Sequence, residues 1–341
     1  MSTTPSGWSQ LRWPIKAILI ALPLIGLGYF ATEKGLFKSH PPESFQDNVA
    51  KENAAAEAEK ENKDANPKST TGQLRSFNFQ PEKPVDGELK GIVEVGATGF
   101  NSFVVIMDKE KRWEIKSKDF GKSLVYEGLA TTDDIRYGLK KYIADIFEKG
   151  VKSKNVHFII SSGAQKEPKT ATISSELKKM GFVVNLVTAE QEGKLALKCA
   201  LPPSYKATAF VTDIGSGNTK ISWMSGNNIS ALETPGAKYF EKDVKDDDVY
   251  AEVKTKALQI PAANREVCFI IGGVPFELAN QHRQGDERYT VLKLPADYTA
   301  EKPKIKSGLT IYKAIADATN CDTFVFDWDA NFSIGFLLSL N

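Results

Sequence analysis

The chain shows three successive patterns of hydrophobic and polar residues, and each pattern predicts a different structure. Near the N-terminus, Ala17–Thr32 is a continuous apolar run without a charged residue. From residue 33 to about residue 89, Ala, Glu, Lys and Asn dominate and no aliphatic stripe recurs. From about residue 90, short β-branched and aromatic runs alternate with stretches of helical period. The sequence therefore predicts an apolar helix, a solvated linker and a folded region of roughly 250 residues.

The apolar run predicts one transmembrane helix over residues 14–32, preceded by a short N-terminal tail over residues 1–13. Its uncharged part reaches about 24 Å as a helix, and Lys16 extends it by snorkelling towards a hydrocarbon core of roughly 30 Å. A cleaved signal peptide is the alternative, although Tyr29–Ala31 is unlike the small-residue cleavage site of such peptides. A buried helix is the third interpretation.

Basic residues on the two sides of this helix bear on its orientation. Arg12 and Lys16 precede it and favour a cytoplasmic N-terminus, which would place the folded region outside the cytoplasm. Lys34 and Lys38 follow it closely and weaken that asymmetry, so the side of the membrane stays open. We therefore expect a single-pass protein of a bacterial inner membrane, with a flexible charged linker over residues 33–89.

The folded region divides into two halves with the same order of predicted elements, residues 90–205 and 206–341. The first half has three short strands, then an amphipathic helix at 133–148, then alternating strands and helices. The second half opens with three strands from residue 209 and continues with alternating helices and strands, including helices at about 241–258 and 308–318. We expect an α/β fold of two βββαβαβα lobes that face each other across a central cleft.

Composition narrows the classes of protein that fit this architecture. The chain carries 44 basic and 43 acidic side chains, a net charge of +1, which argues against a nucleic-acid-binding protein. Its 3 cysteines exclude a disulfide scaffold, and their spacing matches no zinc site. The 3 histidines fall in the linker, a strand and a loop, so the sequence predicts no histidine catalysis.

A glycine turn follows the first strand of each half, and both turns are candidates for phosphate binding. Such turns direct backbone N–H groups into a concavity that suits phosphate oxygens, whereas an ordinary hairpin uses glycine for positive φ. A glycine pair after a later buried strand either approaches a phosphate or forms a plain turn before a helix. The candidate phosphate-binding residues are Gly96, Thr98, Gly99, Gly215, Ser216, Gly217, Asn218, Gly272 and Gly273.

Two acidic residues stand beside these turns. Asp213 ends a hydrophobic strand and enters the second turn, where it either holds a Mg²⁺ ion or caps the turn by its own hydrogen bond. Glu192 lies in the first turn of a predicted helix, just after a strand. There it either acts as a general base on a water molecule or stabilises the helix dipole, a role that Glu190 can also fill.

Four stretches of the folded region carry a family resemblance when they are taken in order. They are IVEVGATGFNSFVV (92–105), VTAEQEGKLAL (187–197), FVTDIGSGNTKISW (210–223) and CFIIGGVPFELA (268–279). Together they resemble motifs of the exopolyphosphatase and guanosine-pentaphosphate phosphatase family, within the actin and hexokinase superfamily. The resemblance covers nearly all of residues 90–341 and implies two actin-like, ribonuclease H-like lobes. It also places Glu192 at the family's catalytic position, with Asp213 and Glu94 as candidate Mg²⁺ ligands.

Several residues depart from the family's pattern. Glu94 stands where the family has Asp, and Thr98 and Gly99 replace an Asn-Ser pair. Asn101 lies near a position that often carries a basic phosphate-binding residue, and Lys220 replaces an acid. The stretch DWDANFSIG (327–335), near the end of the chain, also lacks the arginine that the family places before the glycine. Because arginine–phosphate contacts are strong, these losses make long polyphosphate a poorer fit than short phosphate compounds.

These observations support two functions from different classes. The first is a membrane-anchored phosphoanhydride hydrolase with Mg²⁺, in which Glu192 directs water in line at a terminal phosphate. The second is a catalytically weak phosphate- or nucleotide-binding sensor or scaffold in a membrane complex. A third, an actin-like ATPase or filament former, is disfavoured by the short chain and its acidic helix start. The expected ligand is a phosphate-rich small molecule or short polyphosphate, and a homodimer or membrane complex is left open.

Overall fold

The computed structural model describes residues 77–96, 100–120 and 131–340. These residues belong to one compact unit, Thr70–Asn341. The predicted transmembrane helix at 14–32 and most of the predicted linker at 33–89 lie outside the described residues. Among the helices that are described, none is both long and apolar enough to cross a membrane.

The first sheet has five strands in the order β3-β2-β1-β4-β5. Its strands are β1 (Glu88–Val95), β2 (Phe100–Met107), β3 (Trp113–Phe120), β4 (Val156–Ile160) and β5 (Val184–Leu186). β1 pairs antiparallel with β2 and parallel with β4. The carboxyl ends of β1 and β4 therefore lie at the same edge of the sheet, which is the edge that carries the candidate site.

Three helices accompany this sheet: α1 (Thr132–Glu148), α2 (Pro168–Lys179) and α3 (Ala189–Ala200). α1 begins with a capping box, because the Thr131 hydroxyl accepts from the Asp134 N–H while the Asp134 carboxylate accepts from the Thr131 N–H. One face of α1 then packs on the first sheet through Ile135, Leu139 and Ile143. The order of elements in this half is βββαβαβα, as the sequence predicts.

The second sheet has six strands in the order β10-β11-β9-β6-β7-β8. Its strands are β6 (Ala209–Ile214), β7 (Asn218–Ser225), β8 (Asn228–Pro235), β9 (Val267–Ile271), β10 (Tyr289–Val291) and β11 (Phe324–Asp327). Its helices are α4 (Asp246–Ala257), α5 (Gly273–Asn280), α6 (Pro303–Thr319) and α7 (Phe332–Ser339). As in the first sheet, three antiparallel strands continue into parallel ones.

The second half differs from its prediction in three places. β10 is an additional strand, which the sequence hides because three residues in an irregular stretch show no alternation. α6 begins at Pro303 rather than near residue 308, since proline fits the first helical turn. α4 begins at Asp246 rather than near 241, because Tyr239–Lys242 forms a 3₁₀ turn that ends at Asp243 with a φ of 55°. None of these changes moves the candidate site.

α3 and α7 lie at the junction of the two sheets. α3 packs against β7, β8 and α7, and α7 also packs against β1. The two helices approach closely because Gly335 has no side chain: a Cβ there would lie 1.9 Å from the backbone oxygen of Leu195. One hydrophobic cluster accordingly includes both Ile92 of β1 and Val211 of β6. This confirms a mixed α/β architecture with two sheets, while the predicted boundary between residues 205 and 206 stays a prediction.

Candidate functional site

Three acidic residues predicted from the sequence converge on one lysine between the two sheets. Lys220 lies in β7 opposite Asp213 of β6. Its Nζ is 2.7 Å from Glu192 Oε2 and 3.4 Å from Asp213 Oδ2. Glu94, at the end of β1, acts electrostatically on this lysine. All four residues are buried, with exposed fractions of 8% for Glu94, 1% for Glu192, 8% for Asp213 and 6% for Lys220.

Glu192 is fixed by the start of α3. Thr188 and Gln191 form a capping box that sets the first turn of this helix. Glu190 is exposed and pairs with Lys194, so it fills the surface role at the helix start while Glu192 points inward. Glu192 Oε1 accepts a hydrogen bond of 2.5 Å from the Ser162 N–H. Together with the lysine contact, this means that each carboxylate oxygen of Glu192 has a strong donor.

The surroundings of Glu94 change the pKa of its carboxyl group. Its Oε2 accepts from Asn101 Nδ2 at 3.0 Å and from Asn331 Nδ2 at 3.4 Å. Burial raises the pKa of Glu94 to about 7, and the nearby Glu192 and Asp213 carboxylates add to this effect. The hydrogen bond from Asn101 and the charge of Lys220 oppose it. Glu94 is therefore partly protonated near neutral pH.

The lysine carries its charge throughout the ordinary pH range. Burial alone would lower the pKa of Lys220, but the Asp213 and Glu192 carboxylates outweigh burial and raise it. The cluster thus consists of one ammonium group and three carboxyl groups. Buried charges of this kind are stable only when they are paired and hydrogen-bonded, and the cluster meets that condition at Glu192 and Asp213.

The predicted Mg²⁺ ion does not fit this arrangement. Mg²⁺ is held by oxygen atoms at about 2.0–2.1 Å, and the two carboxylates that face each other already bind the Lys220 ammonium. Across the described ranges, no group of three or more His, Cys, Asp or Glu residues is arranged to hold a metal ion. Asp213 and Glu94 therefore lie beside the glycine turns as predicted, but in a site whose cation is the lysine.

The second glycine turn joins β6 to β7 and is held from behind by residues 236–238. The N–H of Gly215 donates to the backbone oxygen of Asn218 at 3.1 Å. The backbone oxygen of Ser216 accepts from the Lys238 N–H at 2.9 Å. Gly236 is required here because a Cβ would lie 2.3 Å from the Asn218 nitrogen. Among the described residues, the N–H groups of Ser216 and Gly217 have no hydrogen-bond partner. The turn therefore presents two free donors from a fixed backbone.

Asn218 has a structural role in addition to its place in this turn. Its Nδ2 donates to Ser162 Oγ at 3.2 Å and to Glu233 Oε1 at 2.8 Å. Ser162 follows β4 of the first sheet, and its N–H is the donor to Glu192. The second glycine turn and Glu192 are thus linked to the same residue of the first sheet.

The Gly272–Gly273 turn lies against the same cluster. Gly272 has a φ of 107°, and a Cβ there would lie 2.4 Å from the Ile214 oxygen and 2.8 Å from Asp213 Oδ1. Only glycine permits both the conformation and this approach. Gly273 begins α5, and a Cβ there would lie 3.5 Å from Lys304 Nζ. Burial lowers the pKa of Lys304, and the charge of Lys238 lowers it further.

The remaining predicted residues belong to the first glycine turn. Gly96 follows β1 directly and is buried, whereas Thr98 and Gly99 lie outside the described residues. The sequence patterns do not point to Ser162 as a partner of Glu192, and they mark Lys220 only as a departure from the family's pattern. The signal for Lys220 is its position in β7, where it is the one charged residue of the strand. Ser162 has no comparable signal, because its contact with Glu192 is made by its backbone N–H.

Comparisons with known proteins agree with this architecture at the level of the fold. No protein-family model matches the chain, and no curated protein matches its sequence. A solved Aquifex aeolicus member of the Ppx/GppA protein family superposes with a TM-score of 0.58 at 18% identity, covering 74% of this chain and 97% of that one. The type II variant of the Aquifex aeolicus Ppx/GppA phosphatase gives a TM-score of 0.54 at 15% identity, with 74% and 99% covered.

An exopolyphosphatase-like protein also superposes, with a TM-score of 0.53 at 12% identity, covering 74% of this chain and 98% of that one. All three solved chains are matched over almost their full length. The likeness therefore concerns the whole two-sheet body rather than one motif. The folded part of this chain has the fold of the Ppx/GppA phosphatases, as the four sequence stretches predict.

Proposed function

We propose that the paired sheets bind a phosphate-bearing small molecule at the glycine turns and hydrolyse it slowly or not at all. The observation that carries this proposal is the state of Glu192, whose two carboxylate oxygens accept from Lys220 and from Ser162. A general base needs an oxygen that can reach the proton of a water molecule. Glu192 is only 1% exposed and already bound at both oxygens, which makes it a poor base.

Backbone donors support phosphate binding. The N–H groups of Ser216 and Gly217 have no partner among the described residues, and the turn that presents them is rigid. The Gly272–Gly273 turn starts α5 beside the same cluster, and a helix start of this kind favours anions. Lys304 adds a positive charge next to Gly273. These groups suit a compound with a few phosphates, such as a nucleotide or short polyphosphate.

The charge of the cluster limits the affinity of such a ligand. Three carboxyl groups surround one ammonium group, so the interior of the site repels additional negative charge. The ligand must therefore depend on the backbone donors of the turns more than on the buried side chains. This favours a short phosphate compound over a long polyanion. The absence of the family's arginine before the final glycine favours the same choice.

A phosphoanhydride hydrolase is the second candidate, and one observation favours it. Glu94, Glu192 and Asp213 come from three separate segments of the chain and meet at one place beside the glycine turns. In a hydrolase, Glu192 would have to leave Lys220 before it could orient water in line with a terminal phosphate. The Mg²⁺-dependent form of this reaction would also need the space that the ammonium group fills.

Binding and turnover can be separated on the full-length chain purified in detergent. We expect ATP, guanosine pentaphosphate or tetrapolyphosphate to raise its melting temperature, while phosphate release stays at least ~1,000-fold below the typical enzyme rate of ~10 s⁻¹. Glu192→Gln should retain the binding. Phosphate release near ordinary enzyme rates that Glu192→Gln abolishes would instead establish the hydrolase.

The second glycine turn offers a matched pair of variants for the binding site. A Cβ at Gly217 meets nothing within 4 Å among the described residues, so a side chain fits there. We expect Gly217→Asp to weaken phosphate binding at least ~10-fold by repulsion, and the nearly isosteric Gly217→Asn to retain it. Equal binding by the two variants would show that the phosphate lies elsewhere.

We also propose that the helix at residues 14–32 anchors this module in a membrane. The support is the uncharged run Ala17–Thr32 and the basic residues Arg12 and Lys16 before it. Reporter fusions after Lys68 test both the anchor and its orientation. A periplasmic reporter signal would support the expected topology, whereas a cytoplasmic signal would reverse it.

A further inference from the structure

Lys220 Nζ contacts the two carboxylate oxygens that a bridging divalent cation would need. An ion bridging Glu192 Oε2 and Asp213 Oδ2 must lie within about 2.1 Å of both oxygens if it is Mg²⁺, and within about 2.6 Å if it is Ca²⁺. Lys220 Nζ lies 2.7 Å from the first oxygen and 3.4 Å from the second. The ammonium group and a divalent ion cannot share this volume, because their atoms overlap and their charges repel.

The surroundings of the lysine keep it in this position. Lys220 stands in β7 between its two neighbouring strands, and its side chain is almost fully buried. Gly193 of α3 packs directly on its stem: a Cβ there would lie 3.3 Å from Lys220 Cβ and 3.8 Å from Cγ. The close contact leaves the stem little space in which to swing away from the carboxylates.

The ammonium group also lies directly beside the second glycine turn. A Cβ at Gly215 would lie 3.6 Å from Lys220 Nζ. The positive charge is therefore close to Gly215, the first residue of this turn. The remaining carboxyl group, Glu94, is hydrogen-bonded by Asn101 and Asn331. The lysine thus supplies the positive charge of this part of the cleft.

We propose that Lys220 is a built-in cation that excludes divalent metal ions from the Glu192 and Asp213 carboxylates, so that the second glycine turn operates without a metal at this position. A covalently attached ammonium group has a single charge and a fixed position, and it does not depend on the concentration of free metal. The site therefore stays charged in the presence of chelators. This inference goes beyond the proposed phosphate binding, because a lysine can exclude a metal whether or not phosphate binds.

Mn²⁺ is a suitable probe, since the spectrum of the free ion in electron paramagnetic resonance disappears when the ion binds. We expect the full-length wild-type chain in detergent, without any phosphate compound, to show only weak binding with a Kd above about 1 mM. Lys220→Glu places a fourth carboxylate where the ammonium group was. This variant should bind one Mn²⁺ ion at least about tenfold more tightly than the wild type, and Mn²⁺ should raise its melting temperature.

Lys194→Glu is the matched control, because it makes the same change of charge on the exposed face of α3. Lys194 pairs with the exposed Glu190 and is not a member of the buried cluster. Its Mn²⁺ binding should equal that of the wild type. Lys220→Ala, which opens the same volume without adding a ligand, should show an intermediate gain in Mn²⁺ affinity.

Two results would overturn the proposal. One is a tight Mn²⁺ site in the wild type that Asp213→Asn removes, which would show that the lysine does not exclude the ion. This measurement needs no Lys220 variant, so it decides the matter even if such variants fail to fold. The other is a folded Lys220→Glu or Lys220→Ala chain that binds Mn²⁺ no better than the wild type. Because no phosphate compound is present, neither result depends on the outcome of the ligand-binding experiment.

Discussion

Among the buried charges of the described residues, two clusters are built differently. In the first, Lys220 is surrounded by three carboxyl groups next to the glycine turns. In the second, Arg288 donates to both oxygens of the buried Asp327, at 3.1 and 3.2 Å. The Arg288 guanidinium also lies 4.6 Å from the Trp113 ring and 5.3 Å from the Tyr289 ring. The first cluster has an excess of acid, whereas the second is paired one to one.

The difference favours the Lys220 cluster as the binding site that we propose. The Arg288–Asp327 pair is bidentate and covered by aromatic rings, so its hydrogen-bonding capacity is used within the protein. It joins Trp113 of the first sheet to the second sheet, which is a structural role. The Lys220 cluster instead keeps an unbalanced charge beside open backbone donors. Such features are typical of ligand-binding sites rather than of structural ion pairs.

The largest effect that we expect comes from removing the lysine of the unbalanced cluster. Lys220→Met keeps the length of the stem but leaves Glu192 and Asp213 without a cation. The free energy of unfolding should fall by about 3–5 kcal/mol at pH 8, because uncompensated buried charge is costly. Urea denaturation of the full-length chain in detergent, monitored by the tryptophans of the folded part, measures this change.

The pH dependence of this loss distinguishes charge from packing. Without the lysine, the buried negative charge is uncompensated; a loss due to this charge diminishes as acid reduces the charge, whereas a loss due to packing does not depend on pH. The difference in stability between wild type and Lys220→Met should therefore shrink from pH 8 to pH 5. A constant difference would mean that the loss reflects packing of the stem. Lys194→Met, at an exposed pair, should cost less than about 0.5 kcal/mol.

A smaller loss is expected when the balanced cluster is broken. Arg288→Met leaves one buried carboxylate, Asp327, which still accepts from the Asp329 N–H at 2.9 Å. Methionine also retains contact with the Trp113 and Tyr289 rings. We expect a loss of about 3 kcal/mol in the free energy of unfolding at pH 8, measured by urea denaturation. A loss larger than that of Lys220→Met would reverse the comparison between the clusters.

The contrast between the clusters also explains what the sequence predicts and what it does not. Asp213 and Glu192 stand beside a glycine turn and a helix start, so local patterns identify both of them. The lysine between them is visible as the one charged residue of β7, but its contact with Glu192 depends on the packing of α3 against β7. Arg288 and Asp327 have no local signal at all, because their pairing depends on β10, a three-residue strand without a recognisable pattern.

The fold is more predictable than the site for a related reason. The alternation of strands and helices follows from hydrophobic period, and the structure confirms the two-sheet α/β arrangement. Whether a metal ion fits depends instead on the position of the Lys220 ammonium group, to within about an ångström or two. That position is set by Gly193 and the pairing of β7, which belong to tertiary packing. The predicted Mg²⁺ site is therefore the element of the prediction that the structure supports least.

Replacement of Glu94 should increase the stability of the protein, in contrast to the replacement of Lys220 or Arg288. Its folded pKa of about 7 lies above the ordinary value of 4.5, so its contribution to stability is full below pH 4.5 and is lost as the pH rises through 7. Glu94→Gln removes this titration, and its amide oxygen can still accept from Asn101. At pH 8 the variant should be more stable than the wild type by on the order of 2–3 kcal/mol.

The same variant should be close to the wild type in stability at pH 4.5, where Glu94 is protonated in the folded state and about half protonated in the unfolded state. The measurement is the free energy of unfolding at intervals between pH 4.5 and pH 8.5, with the difference between the two proteins plotted against pH. A difference that stays flat across this range would contradict the raised pKa. It would also mean that an excess of acid does not distinguish the first cluster from the second.

The smallest effect is expected at the edge of the balanced cluster, where Asp329 lies. Its Oδ1 is 3.3 Å from Lys118 Nζ and its Oδ2 is 4.0 Å from Arg288 Nε, and its side chain is 30% exposed. Lys118 also donates to the Trp328 oxygen at 3.0 Å, so it keeps a partner when the charge is removed. Asp329→Asn should therefore cost less than about 1 kcal/mol, and most of this loss should disappear in 1 M NaCl because exposed pairs are screened. A loss of more than about 2 kcal/mol that resists salt would show that Asp329 belongs to the buried pair, and the second cluster would then contain an excess of acid like the first.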